Sequence, residues 1–253
     1  MANAPPAHPA PLPDLSAKPW TFVEGAPVRG DASKKQIALI FTGGDFGEGT
    51  GHVLDALEAN KIKGSFFFTG GYLRKAEHQD FLKRIVSEGH YLGPHSDAHE
   101  LYCPWEDRKK TLVTEEFFKK DLQKNIDDLR GYGALKDRGK PVYFIPPYEW
   151  YNGDQTRWAR EMGVLLFNFT PGSGSNRDWA PEDHKSFVPS KKIMEDILAY
   201  EKKEPHGLNG FLLLLHVGSQ RKDKTFLLLE GLLKELKDRG YAFVRVDELL
   251  AVQ

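Results

Sequence analysis

At 253 residues, with 40% hydrophobic and 28% charged residues, the chain has a globular protein's composition and the length of one α/β barrel. A formal net charge of -1 gives no reason to expect nucleic acid or anionic lipid as a partner. The single cysteine, Cys103, excludes an internal disulfide. No apolar run approaches the ~20 residues that span a bilayer; FLLLL before His216 is far too short.

The chain opens MANAPPAHPAPLPDLSAKPW, rich in Pro and Ala and without the apolar stretch of a signal peptide. Residues 1–30 therefore read as a linker or extended arm, and residues 31–253 as one catalytic domain. A Pro-rich tether suits an exported protein, whether periplasmic, extracellular or lipoprotein-tethered.

From residue 36, short apolar runs alternate with longer periodic segments. Strands are expected at 36–41, 64–70, 90–94, 141–146, 164–169, 211–216 and 241–246. Helices are expected at about 51–62, 74–88, 112–130, 153–162, 190–203 and 225–239. Val53, Leu54 and Leu57 show the i, i+3, i+4 spacing of an amphipathic helix. Seven strands joined by six helices predict a mostly parallel sheet covered on both faces, as an open doubly wound sheet or a barrel. Either arrangement puts reactive groups at the C-terminal ends of the strands.

Those ends are where the chemistry-bearing residues gather. The first delivers TGGD, ending in Asp45; the third HSDAH, with His95 and His99; the fourth PPYE, with Tyr148 and Glu149. The fifth runs towards Asp178-Trp179, and the sixth ends in His216. Two histidines four apart share one face of a helical turn and suit a divalent ion, although such a pair also serves purely structural ends. Asp45 is the natural third ligand. The glycines around it do not form a phosphate loop, because no Lys follows at the required spacing, and the dinucleotide spacing also fails. His216 at a strand end reads as an acid or base, or as a satisfied core histidine. Glu149 reads as a catalytic carboxylate or an exposed loop acid.

In order, IALIFTGGD, HSDAH, IPPY, RDW and LLLLH resemble the motifs of the polysaccharide deacetylase family, the NodB-homology or carbohydrate esterase family 4 domain. The resemblance covers residues 36 to 250. It implies a deformed (β/α)₇ barrel and one divalent metal, zinc foremost with cobalt, nickel or iron as alternatives, held by Asp45, His95 and His99. It implies hydrolysis of an N- or O-linked acetyl group on an oligo- or polysaccharide. His216 would be the general acid, Asp178 its partner, and the Tyr148 N–H an oxyanion donor.

Two departures stand out. The family's tandem acids, base first and ligand second, fall on Thr42 and Gly43, with Asp45 two residues later, so Asp45 serves as a ligand only if the glycines let the loop bulge and bring it back. The Arg that pairs with the base is Ile145. Losing both together is consistent, because either charge alone would be buried and unpaired. Glu149 is the candidate relocated base, and Trp150, Tyr151 and Trp179 offer flat surfaces for sugar rings. The alternatives are a noncatalytic carbohydrate-binding domain and a small cyclic amide hydrolase. Nothing in the sequence specifies an oligomeric state, the sugar, or N- versus O-deacetylation.

Overall fold

A computed structural model describes residues 10–137 and 139–252. In chain order the regular elements are β1 (Thr21–Val23), β2 (Ala26–Arg29), β3 (Gln36–Gly43), α1 (Thr50–Ala59), β4 (Ser65–Phe68), α2 (Gly70–Leu73), α3 (Gln79–Ser87) and β5 (Tyr91–Pro94). They continue with α4 (Glu115–Gly131), β6 (Val142–Phe144), α5 (Gly153–Glu161), β7 (Val164–Leu166), α6 (Ser190–Lys203), β8 (Phe211–His216), α7 (Leu229–Asp238), β9 (Ala242–Val244) and α8 (Val246–Leu249). All seven strands expected from residue 36 onward are present; β3 runs two residues further than expected, β8 has the expected bounds, and the other five are shorter.

The alternation of side chains along each strand explains the layers. On β3, Ile37, Leu39 and Phe41 point into an outer core shared with α1, α3, α6 and α7, while Ala38 and Ile40 point into the barrel interior. Phe66 and Phe68 join the outer core and Phe67 the interior; on β8, Leu213 and Leu215 face outward while Leu212 and Leu214 face in. A third cluster binds β6 and β7 to α4 and α5 through Phe118, Leu122, Phe144, Trp158 and Leu166.

The barrel is deformed because its ladder is interrupted. Parallel strands run β5-β4-β3-β8, with β9 beside the start of β3, and β6-β7 form a separate parallel pair. Between β5 and β6, Tyr91 Oη accepts the Tyr143 N–H at 2.8 Å. Between β7 and β8, Thr170 N–H donates to Leu212 O and Leu212 N–H donates to Thr170 Oγ1, each at 3.0 Å.

The expected arm lies against this second seam. Asn168 N–H donates to Pro27 O at 3.0 Å, Thr170 Oγ1 to Val28 O at 2.6 Å, and β1 and β2 form an antiparallel hairpin. Leu12 is buried in the interior cluster, with Leu15 and Trp20 packed on it. Residues 1–9 of that arm lie outside the described residues. Among the described residues, no helix is long and apolar enough to cross a membrane.

Candidate active site

The loop after β5 is built from below by α4. His95 N–H donates to Asn125 Oδ1 at 2.9 Å, and the Asp121 carboxylate accepts from the Asp97 and Ala98 N–H groups at 3.0 and 2.8 Å. His99 N–H donates to Ser96 Oγ at 2.8 Å, closing the loop on itself. HSDAH is thus not the helical turn its spacing predicts. Ser96 and His99 have φ of 73° and 57°, and the side-chain acceptors replace the helical hydrogen bonds. The two imidazoles still meet, with ring centroids 5.0 Å apart.

His95 Nδ1–H donates to Ile145 O at 2.8 Å, which leaves the Nε2 lone pair facing the site. Burial and the proximity of His99 hold His95 well below its ordinary pKa. Burial also pushes His99 down to about 4, against the opposing pull of Asp45. Both rings are therefore neutral donors near pH 7.

Opposite them the β6 strand runs into Pro146 and a tight turn, Pro147–Glu149. Tyr148 and Glu149 both lie in the left-handed region, with φ of 57° and 53°. Of seven non-glycine residues with positive φ among those described, four are Ser96, His99, Tyr148 and Glu149. Such strain persists where surrounding contacts overdetermine the backbone, and it clusters at functional sites. One contact is Asn168 Nδ2, which donates to Glu149 O at 2.7 Å. The Glu149 carboxylate is largely buried, with Oε1 4.0 Å from His95 Nε2. Burial pushes its pKa up to about 7, opposed by His216 and reinforced by Asp178. The Glu149 and Trp150 N–H groups donate to Pro146 O and Pro147 O, while that of Tyr148 has no partner among the described residues.

His216 closes the site. Asp178, buried, accepts His216 Nδ1–H at 2.6 Å and the His216 backbone N–H at 2.9 Å. Burial disfavours the imidazolium, but the charge and hydrogen bond of Asp178 outweigh it and raise the pKa of His216. Arg221, 1% exposed, fixes this partner: Nη1 donates to Arg177 O and Ala180 O on either side of the Asp178-Trp179 pair.

The β3 loop departs from expectation. None of Gly43, Gly44, Gly47 and Gly49 has a positive φ, so they do not bulge the chain to bring Asp45 back. Gly43, Gly47 and Gly49 instead allow close packing. A Cβ on Gly43 would meet Val217 Cγ2 at 2.7 Å, one on Gly47 the Tyr72 ring at 2.6 Å, and one on Gly49 Phe226 Cδ1 at 2.2 Å. The loop is anchored by Gly49 N–H donating to Val217 O and by Lys75 Nζ donating to Asp45 O. The Asp45 residue is consequently exposed, though its charge reaches His99. Among the described residues, no three His, Cys, Asp or Glu side chains group closely enough to hold an ion. The donor chemistry nonetheless fits a divalent metal at two positions, both neutral imidazoles, one oriented by a backbone carbonyl.

Aromatic residues ring the site. Tyr148 packs 4.4 Å from the His99 ring, Trp105 is edge-on to Tyr148 at 5.9 Å, and Trp105 stacks on Trp150 at 5.8 Å. Trp179 is exposed beside His184. Tyr151, expected on the sugar-facing surface, is fully buried with its hydroxyl donating to Val23 O, so its ring belongs to the core. Trp105 was not singled out by sequence reasoning; its place in the loop that carries His95 and His99 was the available signal. Arg108 and Arg221 carried none.

The sequence profile described as polysaccharide deacetylase matches residues 29–167. A peptidoglycan-N-acetylglucosamine deacetylase of Bacillus cereus is 28% identical over 223 residues, covering 86% of this chain and 89% of that protein. Among solved structures, a family 4 carbohydrate esterase of Bacillus subtilis superposes with a TM-score of 0.70 at 23% identity, covering 89% of this chain and 84% of that one. A CE4-family pseudoenzyme from Bacillus anthracis gives a TM-score of 0.69 at 18% identity, covering 90% and 70%. These two structural likenesses are likenesses of fold.

Proposed function

The chain belongs to the polysaccharide deacetylase family, and from that premise we propose that it is a metal-dependent hydrolase removing acetyl groups from a carbohydrate outside the cytoplasm. The observation that carries the reading is the buried Glu149 carboxylate, 4.0 Å from His95 Nε2 and opposite the His216–Asp178 pair. His95 and His99 would hold the ion together with a carboxylate, Asp45 being the candidate, and zinc the ion its donor set first suggests. When bound, such an ion supplies Lewis-acid polarisation of the acyl carbonyl.

The remaining work falls to side chains. Glu149, with a pKa near the working pH, takes the proton of the attacking water. The unpartnered N–H of Tyr148 faces the developing oxyanion. His216, charged because Asp178 stabilises the imidazolium, gives its proton from Nε2 to the departing amine or alkoxide as the acyl bond breaks. Acetate and a free amine or hydroxyl result. A saccharide suits the surroundings: of the exposed aromatic residues Phe46, Trp105, Phe117, Tyr148 and Trp179, all but Phe117 sit on loops bordering the site.

The test is acetate release from acetylated glycans and chitooligosaccharides before and after metal stripping and restoration. Glu149→Gln is expected to lower kcat by roughly 10²–10⁴-fold. Absence of metal-dependent release from every acetylated glycan would sink the reading. One observation favours a noncatalytic carbohydrate-binding domain instead, namely that Asp45 is exposed and completes no three-ligand group. That alternative wins if glycan binding persists while Glu149→Ala and His216→Ala change no detectable turnover.

A further inference from the structure

Tyr148 and Glu149, side by side at positive φ, are held from outside their turn by one hydrogen bond among the described residues. Asn168 Nδ2 donates it to Glu149 O at 2.7 Å. Asn168 follows β7, is 7% exposed, and has its amide oriented by its own neighbour, because Oδ1 accepts the Phe169 N–H at 2.9 Å. The amide nitrogen is therefore the atom that meets the carbonyl, since a flipped amide would set oxygen on oxygen. The Asn168 backbone is pinned as well, its N–H donating at 3.0 Å to Pro27 O on the fully buried β2. Beyond the turn the chain has its own braces, Trp150 Nε1 donating to Pro104 O and Arg108 Nε to Tyr151 O. Those contacts leave the two left-handed residues untouched. A non-glycine residue keeps such a φ only where its surroundings overdetermine it. Without the Asn168 donor the Glu149 peptide is free to turn, and the carboxylate, now 4.0 Å from His95 Nε2, turns with it. A displacement of about 1 Å near a reacting group costs on the order of 10²-fold in rate.

We propose that Asn168 is a positioning residue, whose amide holds the left-handed turn that aims the Glu149 carboxylate at His95, and that β2 in turn holds Asn168. The inference rests on the proposed role of Glu149 as base for its kinetic consequence, but not for the conformation of the turn.

The experiment compares three variants of the intact protein. Asn168→Asp keeps the shape and the acceptor for Phe169 N–H but sets an oxygen against Glu149 O. Asn168→Ala removes both groups. Thr170→Val is the control: it loses the bonds to Val28 O and from Leu212 N–H in the same seam, and Thr170 makes no hydrogen bond to the turn. The readouts are Tm, steady-state kinetics on the acetylated glycan that the unaltered protein hydrolyses, and the sign of φ at Glu149 from scalar couplings. Both Asn168 variants are expected to lower kcat by roughly 10–100-fold with KM within about twofold, and to return φ at Glu149 to negative values. Thr170→Val is expected to lower Tm comparably while kcat stays within about twofold and φ stays positive. Positive φ at Glu149 in both Asn168 variants overturns the proposal, as does an equal loss of kcat in Thr170→Val. Failure of both Asn168 variants to fold also overturns it, by assigning Asn168 to the fold alone. Glu149→Gln in the same assay separates the two ideas. Unchanged kcat there removes the role of Glu149 as base and leaves the sign of φ to decide the role of Asn168. A loss of kcat in Glu149→Gln with none in Asn168→Asp removes this inference alone.

Discussion

Thr42 and His216 are register partners at the ends of β3 and β8, yet the two strands finish in opposite ways. His216 meets Asp178 through both its backbone N–H and Nδ1, whereas the buried Thr42 Oγ1 has no hydrogen-bond partner. Across the interior, the place of the family's arginine is taken by Ile145, fully buried, whose carbonyl orients His95. One side of the site therefore holds a polar pair. The other has become apolar apart from a stranded hydroxyl, and Glu149, carried on a strained turn from β6, is the carboxylate that fills the gap. In the proposed mechanism, proton traffic lost from the end of a strand would have its substitute on a loop, the one where Tyr148 and Glu149 hold positive φ.

If that contrast is right, the β8 side is the more sensitive. His216→Ala is expected to lower kcat by about 10²–10⁴-fold with little change in glycan affinity, measured by steady-state kinetics and calorimetry. A parallel loss of affinity would mean that His216 holds substrate rather than moving a proton. The β3 side should respond in the opposite sense. Thr42→Val removes an unpaired buried hydroxyl and is expected to stabilise the fold by about 1 kcal/mol. In thermal denaturation that is a rise of roughly 2–4 °C. Destabilisation would show that Thr42 Oγ1 is engaged in solution, and the two strand ends would then differ less than described.

A third test turns on pH. Asp178 raises the pKa of His216 against the effect of burial, so removing its charge must lower that pKa. With Glu149 as base and His216 as acid, as proposed, activity would need His216 protonated and Glu149 ionised. The acid limb should therefore fall below the Glu149 pKa of about 7, and the alkaline limb should fall as pH rises through the raised pKa of His216. Asp178→Asn is expected to move the alkaline limb of kcat/KM to lower pH and leave the acid limb nearly in place. An alkaline limb that stays fixed would assign it to another group.

The barrel was legible because parallel strands buried on both faces leave continuous apolar runs, and β3 and β8 are the clearest of these. The gathering of His95, His99, Glu149 and His216 followed from the rule that strand ends share one face. What stayed hidden depends on non-local contacts. The hairpin Thr21–Arg29 reads as a Pro-rich arm because its partners, Asn168 and Thr170, are some 140 residues away. The shape of HSDAH is decided by Asp121 and Asn125 on α4, so spacing alone suggests the wrong turn. The glycines near Asp45 look like hinges in sequence, yet the contacts with Val217, Tyr72 and Phe226 that make Gly43, Gly47 and Gly49 necessary come from distant elements.

The smallest expected effect concerns the rim, where the two sides of the site meet solvent. Trp105 is 57% exposed, stacks on Trp150 and abuts Tyr148, which in turn packs on His99. Its loss uncovers Trp150 without touching the proton-transfer groups. Such an aromatic contact contributes about 0.5–1.5 kcal/mol. Trp105→Ala should therefore raise KM on an oligosaccharide by roughly two- to tenfold and leave kcat nearly unchanged. An acetylated monosaccharide, too short to reach the rim, should show no change. A fall in kcat on both substrates would instead mean that Trp105 braces Tyr148 and its unpartnered N–H. The rim and the catalytic turn would then be one mechanical unit.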